Sequence, residues 1–331
     1  MKELIKKLVE AYGPSGYEVP VRDLIADIVR ESVDELRTDS LGNLIALKKG
    51  TGGGKRIMIA AHMDEIGLIV TYVDKKGFLR FGTVGGVLPL ATIGSRVRFA
   101  SGAIGVIGWE KWLQPSSERP SLEELFLDVG AIPGNQLPVG VGDVASFDRP
   151  FVDMGQRLVA KAMDDRIGCA VAAQALLDLG ATPNDIYFVF TTQEEVGLRG
   201  ALVSAFGVEP EVGVAIDVTK TGDTPEAHPM AVELSGGPAI KVMDSDVLVH
   251  PGVKNWMIKT AQGLGIKYQL EVLEFGGTDT AAMQRSRGGI PAGCLSIPCR
   301  YIHTPSEMVD YGDVQGAVKL LGEMLSKPVE I

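Results

Sequence analysis

Two kinds of metal-binding side chain stand where apolar runs of this chain end. They are His62 and Asp64 after the run 57–61, Glu194 and Glu195 after 187–192, and Asp217 after 212–216. Near-continuous apolar runs of this length are typical of strands buried on both faces of a parallel sheet. The carboxyl ends of such strands meet at one edge of an open α/β sheet, where ligands bind. The pattern therefore predicts that these imidazole and carboxylate groups converge, and groups of these types bind divalent metal ions.

Asp164 and His303 extend this set to a site for two metal ions. Asp164 lies at the predicted start of a helix, where carboxylates are favoured, and His303 follows the strand-like segment 294–297. A dinuclear site needs one histidine and one terminal carboxylate for each ion, and one carboxylate that bridges both. The residues that fit this inventory are His62, Asp164, Glu195, Asp217 and His303. Glu194 is then free to act as a general base.

Each of these residues has an ordinary explanation when it is taken alone. Adjacent acids such as Glu194 and Glu195 are usually solvated surface groups, and a lone histidine is more often structural than a ligand. Ionised groups beside buried strands are costly unless they are paired or bound to metal, so the whole set favours a functional site. His228 and His250, which each precede a proline, are interpreted as structural.

A glycine-rich turn offers a further candidate contact. Gly276 and Gly277 are followed by Thr278 and Asp279, between a strand-like segment and a possible helix. Backbone amides and a carboxylate could meet a ligand at such a place, or the segment could be a plain connecting turn. Thr278 and Asp279 are therefore candidate substrate contacts.

The elements that must position these residues alternate between helix and strand in two separate parts of the chain. Helices are predicted at 3–12, 21–29 and 166–179, and strands at 33–37, 44–47, 56–62, 186–191, 212–216 and 268–273. Between 65 and 156 the strands are short and the turns rich in glycine, with one possible helix at 121–126. We expect a mainly parallel sheet with helices on both faces, interrupted by a β-rich insertion, and domains at 1–65, 66–156 and 157–331.

Composition excludes several classes of protein. The chain has 331 residues, 45% of them apolar, and a net charge of −10, which argues against a nucleic-acid partner. No segment reaches the roughly 18 apolar residues of a membrane-spanning helix. Residues 1–7 do not resemble a signal peptide, so a cytoplasmic location is expected. The three cysteines have no metal or redox spacing and are predicted to be buried apolar groups.

Six segments carry a resemblance to a known family. They are Ala61-His62-Met63-Asp64-Glu65-Ile66-Gly67, Lys161-Ala162-Met163-Asp164-Asp165-Arg166, Gln193-Glu194-Glu195-Val196-Gly197, Ala215-Ile216-Asp217-Val218-Thr219, Gly276-Gly277-Thr278-Asp279 and His303-Thr304-Pro305-Ser306-Glu307. In this order they resemble the tetrahedral-type dinuclear metallo-aminopeptidases, family forty-two of the metallopeptidases. The resemblance implies a catalytic α/β domain with an inserted β-barrel-like dimerisation domain, and dimers that assemble into tetrahedral dodecamers.

The resemblance also implies a role for each site residue. His62 and Asp217 would hold one metal ion, Glu195 and His303 the other, Asp164 would bridge them, Asp64 would orient His62, and Glu194 would be the base on a water that bridges the metals. The expected reaction is removal of N-terminal residues from short peptides. Two divalent ions are expected per subunit; zinc, cobalt and manganese all suit histidine and carboxylate ligands.

Other functions are also compatible with these residues. A metal-dependent deacylase of N-acyl amino acids would use the same residues. A glycoside hydrolase such as an endoglucanase also uses paired carboxylates, but aromatic residues are only 6% of the chain and the histidines would go unused. A non-catalytic scaffold stabilised by metal is disfavoured, because structural zinc sites are normally closed and often rich in cysteine.

Overall fold

A computed structural model describes residues 1–112, 119–132 and 135–331. Its helices are α1 (Lys2–Glu10), α2 (Val19–Val29), α3 (Pro89–Thr92), α4 (Met163–Asp178), α5 (Arg199–Val208), α6 (Pro251–Leu264), α7 (Asp279–Gln284) and α8 (Tyr311–Ser326). The strands before the barrel are β1 (Glu35–Thr38), β2 (Leu44–Lys48) and β3 (Arg56–His62), and those of the barrel are β4 (Gly67–Val73), β5 (Leu79–Val84), β6 (Arg96–Phe99), β7 (Ile104–Trp109), β8 (Leu125–Asp128) and β9 (Val144–Phe147). The strands after the barrel are β10 (Val152–Asp153), β11 (Arg157–Ala160), β12 (Asp185–Thr191), β13 (Val212–Thr219), β14 (Ala239–Met243), β15 (Gln269–Val272), β16 (Ala292–Arg300) and β17 (Glu307–Asp310).

The large sheet has the strand order β1-β2-β12-β3-β13-β16-β17-β11-β10, and β14 and β15 branch from β16. Its four central strands, β12, β3, β13 and β16, run parallel to one another. The strands on either side of them pair antiparallel. The predicted α/β class is confirmed, and the parallel character of the sheet is concentrated in the centre that carries the candidate residues.

The central strand β3 shows why helices cover both faces of this sheet. Residues 57–62 of β3 are all buried, and successive side chains of a strand point to opposite faces. Ile57, Ile59 and Ala61 join the core formed with α1, α2, α4, α6 and α8. Met58 and Ala60 join the second core, formed with α5 and α7. A strand that is buried on both sides therefore has to be apolar at every position.

The inserted part of the chain forms a closed barrel. Its strands follow the order β4-β5-β8-β7-β6-β9 and all pair antiparallel. The barrel encloses a hydrophobic core of its own. The predicted barrel-like insertion is therefore confirmed as a fold element. The following strand β10 pairs with β11 in the large sheet, and the domain limits at 65/66 and 156/157 stay predictions.

The helix predicted at 121–126 is wrong. The structure has a single 3₁₀ turn, Leu122–Glu124, capped by Ser121 and followed at once by β8. Leu125 and Leu127 are buried in the barrel core, so β8 contains residues that the predicted helix would have needed.

None of the helices in the described ranges has the length and apolarity required to cross a bilayer.

Candidate metal centre

The central strands bring the predicted residues to one edge of the sheet. His62 is the last residue of β3, and Asp217 lies near the end of β13. Glu194 and Glu195 follow β12, and His303 follows β16. Because these four strands are parallel, their carboxyl ends open on the same crevice, as the sequence predicts.

Asp164 lies between the two histidines. It stands in the irregular first turn of α4, with φ −77° and ψ 108°, and a cis peptide bond joins it to Asp165. Its Oδ1 is 3.0 Å from His62 Nε2 and its Oδ2 is 3.3 Å from His303 Nε2. One carboxylate thus faces both imidazole rings, one oxygen to each.

Further carboxylates surround each histidine. Glu195 Oε2 lies 3.1 Å from His303 Nε2. Asp217 Oδ1 and Glu194 Oε2 lie 4.0 Å and 3.9 Å from His62 Nε2. Glu195 Oε2 therefore lies closer to a histidine nitrogen than Asp217 Oδ1 or Glu194 Oε2 does.

Asp64 is fully buried behind His62 and ties the site to the next strand. Its Oδ1 lies 3.5 Å from His62 Nδ1, whose nearer partner is the Asp64 carbonyl oxygen at 3.1 Å. Its carboxylate also accepts hydrogen bonds from the backbone amides of Glu194 at 2.9 Å and Glu195 at 3.1 Å. Ser15 Oγ donates to it at 2.6 Å. Asp64 therefore fixes the ring of His62 and the backbone of both glutamates at once.

The segment that carries Glu194 and Glu195 has left strand geometry. Gln193 has a φ of +55° and Gly197 a φ of +122°, and both the Gly197 and Leu198 amides donate to the Glu194 carbonyl at 2.9 Å. In a regular strand two adjacent side chains point to opposite faces. This tight turn allows both glutamates to line the same cavity.

The carboxylates are held close together away from water, which perturbs their protonation. Burial, reinforced by neighbouring acids, raises the pKa of Glu194 and of Asp217 well above the usual carboxyl range. Burial and the charge of Asp164 raise the pKa of Glu195. Burial opposes ionisation of Asp164 too, but hydrogen bonds from His303 and His62 lower its pKa. The site thus crowds buried acids, and the charged forms of Glu194, Glu195 and Asp217 are costly there.

This donor set fits divalent cations. Ligand atoms of His62, Asp164 and Glu195 all lie within 4.8 Å of one another, and so do those of His62, Asp165 and Asp217. Glu195 Oε1 is buried without a hydrogen-bond partner among the described residues. Buried charges in proteins are normally paired or coordinate metals. Histidine with carboxylate oxygen is a ligand combination of zinc and related ions.

Two buried acids that sequence reasoning left without a role hold the predicted ligands in place. Glu307 accepts hydrogen bonds from the Asp164 amide at 2.9 Å and the His303 amide at 2.8 Å. Asp165 accepts hydrogen bonds from the His62 amide at 3.3 Å and from the amide of Gly168 at 3.1 Å. Both acids stand within a few residues of a predicted ligand, and that proximity is the only sequence signal for them.

The candidate ligands open on a cavity of about 300 Å³. Its lining comprises His62, Gly86, Asp164, Glu194, Glu195, Asp217, Val218, Thr219, Lys220, Leu273, Phe275, Gly276, Gly277, Ile302 and His303. Lys220 Nζ lies 4.5 Å from the centroid of the Phe275 ring. The cavity therefore combines the cluster of ionisable residues with an apolar wall formed by Leu273, Phe275 and Ile302.

Thr278 and Asp279 lie behind this wall and do not line the cavity. Thr278 is buried and accepts a hydrogen bond from the Thr280 amide at the start of α7. Asp279 is buried too; its Oδ2 accepts a hydrogen bond from Thr191 Oγ1 at 2.5 Å. Burial raises the pKa of Asp279 to about 6. Gly276 and Gly277 line the cavity at this turn instead, and a substrate contact of Thr278 and Asp279 stays a prediction.

The remaining histidines and the cysteines are not among the residues that line the cavity. His250 Nδ1 accepts a hydrogen bond from the Gly252 amide and so caps α6. His228 is exposed, 3.7 Å from Glu274. Cys169, Cys294 and Cys299 are buried free thiols whose burial raises their pKa well above the usual value. A buried neutral thiol is inert.

Comparison with known proteins finds similar sequences and similar structures. The sequence pattern of the family described as M42 glutamyl aminopeptidase matches residues 42–320. A putative aminopeptidase of Acetivibrio thermocellus is 48% identical over 327 residues, which cover 98% of each chain. The solved aminopeptidase APDkam598 of the archaeon Desulfurococcus kamchatkensis is 41% identical, with a TM-score of 0.94 over 98% of this chain and 94% of its own. The Pyrococcus horikoshii TET1 peptidase, which can assemble into a tetrahedron or a large octahedral shell, is 31% identical, with a TM-score of 0.85 over 98% of both chains.

Proposed function

Because this chain belongs to the M42 glutamyl aminopeptidase family and is a peptidase, we propose that it removes N-terminal residues from short peptides by means of two divalent metal ions. The proposal assigns His62 and Asp217 to one ion, His303 and Glu195 to the other, and Asp164 to both. These are the five ligands that the sequence predicts.

One observation carries this proposal: the position of the Asp164 carboxylate between two imidazole rings. Its two oxygens face His62 Nε2 at 3.0 Å and His303 Nε2 at 3.3 Å. A carboxylate that presents one oxygen to each of two histidines is suited to bridge two ions that those histidines bind. Glu195 and Asp217 then supply one terminal carboxylate on each side.

Two divalent ions, when bound, supply Lewis-acid polarisation of the scissile carbonyl and lower the pKa of a water towards neutrality. The chain itself supplies the proton transfer. Glu194 lines the cavity beside the candidate ligands, and its Oε2 is 3.9 Å from His62 Nε2. We assign Glu194 Oε2 as the group that takes the proton of the attacking water and returns it to the leaving amine.

Asp64 and Glu307 hold the proposed base and the proposed metal ligands in fixed positions. Asp64 binds the Glu194 and Glu195 amides as well as the His62 ring, so base and ligands move as one unit. Glu307 does the same for the amides of Asp164 and His303. Replacement of a residue that holds metal ligands in this way typically lowers metal affinity or activity by about 10- to 100-fold.

Metal identity, assembly and location are finer parts of the proposal. Zinc or cobalt, and then manganese, suit the histidine and carboxylate set. A homo-oligomer such as a tetrahedral dodecamer is proposed by similarity to the P. horikoshii TET1 peptidase. Light scattering of the purified chain tests the assembly, and fractionation of the producing cells tests the expected cytoplasmic location.

The test of the activity is a substrate panel. Free and N-acetylated amino-acid anilides and a cellulose oligomer are incubated with the protein before chelation, after chelation, and with zinc, cobalt or manganese restored. Cleavage of the free-amine substrates alone, lost on chelation and regained with metal, is the expected result. Cleavage of the acetylated anilides would identify a deacylase, and cleavage of the oligomer an endoglucanase; either outcome would overturn the aminopeptidase assignment.

A further inference from the structure

Two glycines of the inserted barrel lie against Glu195 and His303. Gly85 and Gly86 directly follow β5. A Cβ atom placed on Gly86 would lie 2.6 Å from His303 Nδ1 and 2.9 Å from its Cε1. A Cβ atom on Gly85 would lie 3.1 Å from Glu195 Cβ and 3.2 Å from its Oε2. Non-bonded heavy atoms are most favourable at about 3.5 to 4.0 Å, so the barrel backbone contacts the histidine so closely that even a methyl group does not fit.

The two histidines differ in what fixes their rings. The Nδ1 atom of His62 lies 3.1 Å from the Asp64 carbonyl oxygen. In the described ranges of the chain, His303 Nδ1 has no such hydrogen-bond partner, and the backbone of Gly86 packs against it instead. Metal-binding histidines usually have their second ring nitrogen held by a carboxylate, a carbonyl or a water. For His303, the backbone of Gly86 lies on the Nδ1 side of the ring, where such a partner would otherwise stand.

We propose that Gly86 is a positioning residue for His303. Its backbone closes the Nδ1 side of the ring and directs Nε2 towards Glu195 Oε2 at 3.1 Å and Asp164 Oδ2 at 3.3 Å. The inference rests on the proposed dinuclear function. It means that the barrel is a structural part of one half of the metal site.

Gly86 offers a clean test because its backbone does not require glycine. Its φ lies outside the left-handed region, whereas Gly85 has a φ of +78°, where an L-residue is strained. Gly86→Ala therefore adds a methyl group against His303 without a backbone cost. Gly82→Ala is the matched control: Gly82 lies on β5, the strand that Gly86 follows, and its Cβ would meet Ile69 and Thr71 at ordinary distances of 3.5 Å and 3.6 Å.

The experiment measures metal bound per subunit against a competing chelator, and the absorption spectrum of the cobalt-loaded protein. Gly86→Ala is expected to weaken the affinity for one of two ions by about 10- to 100-fold and to change the cobalt spectrum. Gly82→Ala is expected to match the wild type in both. Unchanged affinity and spectrum in Gly86→Ala, with two ions bound to the wild type, would overturn this inference and leave the proposed function standing. A wild type that binds no stoichiometric metal would overturn both.

A double variant separates positioning from general damage to the barrel. If Gly86 acts through His303, then Gly86→Ala should have no further effect on metal affinity in a His303→Ala background. An equal loss in both backgrounds would refute the inference. Should Gly86→Ala alone fail to fold, removal of the imidazole in Gly86→Ala/His303→Ala should restore folding, because the clash is gone. Failure of that double variant to fold would also refute it.

Discussion

Replacing Glu194 by Gln should abolish turnover while both metal ions stay bound. The side chain keeps its size and loses only its charge and its ability to accept a proton. Glu194 Oε2 is 3.9 Å from His62 Nε2, whereas Glu195 Oε2 is 3.1 Å from His303 Nε2. The proposal thus separates a base from a ligand in two adjacent residues of the same type.

The expected magnitude follows from this separation. General-base catalysis is typically worth about 10²- to 10⁴-fold in rate, which corresponds to about 3 to 5 kcal/mol of activation free energy. Glu194→Gln should lose this factor in kcat and keep the metal content of the wild type. Glu195→Gln is the matched control and should instead lose metal affinity by about 10- to 100-fold.

The assay combines metal analysis of each purified variant with hydrolysis of a free-amine anilide at saturating metal. Burial first, and then the charges of Asp217, Glu195 and Asp279, raise the pKa of Glu194 in the metal-free protein against the opposing effect of His62. A neutral amide should therefore be tolerated at this position, and metal-free Glu194→Gln should unfold at or above the wild-type temperature. This checks that lost activity is not lost folding. Wild-type turnover in fully metal-loaded Glu194→Gln would refute the assignment of the base.

Three further predictions concern the metal ligands, pH and the buried core. His303→Ala should lower the bound metal from two ions per subunit to about one; an unchanged metal count would remove His303 from the ligand set. Although burial alone would lower it, hydrogen bonds to Asp164 and Glu195 raise the pKa of His303 to about 11, so its contribution to stability is complete below about pH 6.5 and is lost as the pH rises towards 11. The metal-free protein should therefore melt at lower temperature at about pH 9 than at about pH 7, and saturating metal should remove this slope; equal slopes in calorimetry would contradict the argument. Arg166 is fully buried and donates to the carbonyl oxygens of Leu8 at 2.7 Å and Gly13 at 3.1 Å. Arg166→Met leaves these buried acceptors without a donor and should lower the free energy of unfolding in urea by at least about 2 kcal/mol; a loss below about 1 kcal/mol would show that these hydrogen bonds are unimportant.

Much of the site could be predicted because its residues interrupt simple local patterns. His62 and Asp217 end apolar runs that can only be buried strands, and parallel strands bring their ends together. The convergence depends on two conditions, that these strands run parallel and that they lie near one another, and the alternating helices favour both. The turn after β12 was predictable from the chemistry, since two adjacent glutamates cannot otherwise face one cavity.

Other features depend on contacts that no local pattern contains. Strand direction outside the four central strands is set by connections, so the antiparallel flanks were not predicted. Glu307 and Asp165 act by accepting hydrogen bonds from the backbone amides of Asp164 and His62, and these contacts form only in the folded chain. Burial of Thr278 and Asp279 follows from the way α7 packs, and the contact of Gly86 with His303 joins residues more than two hundred positions apart.

The position of β3 has a consequence for synthesis of the chain. Both neighbours of β3 in the sheet, β12 and β13, come from residues 185–219. A growing chain therefore exposes two unpaired edges of a strand that is apolar from Ile57 to Ala61 while the next hundred and more residues emerge. The barrel, whose strands all lie between Gly67 and Phe147, can close during that interval. Long-range parallel pairing is slow, and exposed apolar edges aggregate. Nascent chains halted between the barrel and β12 should therefore be the form of this protein that most needs a chaperone.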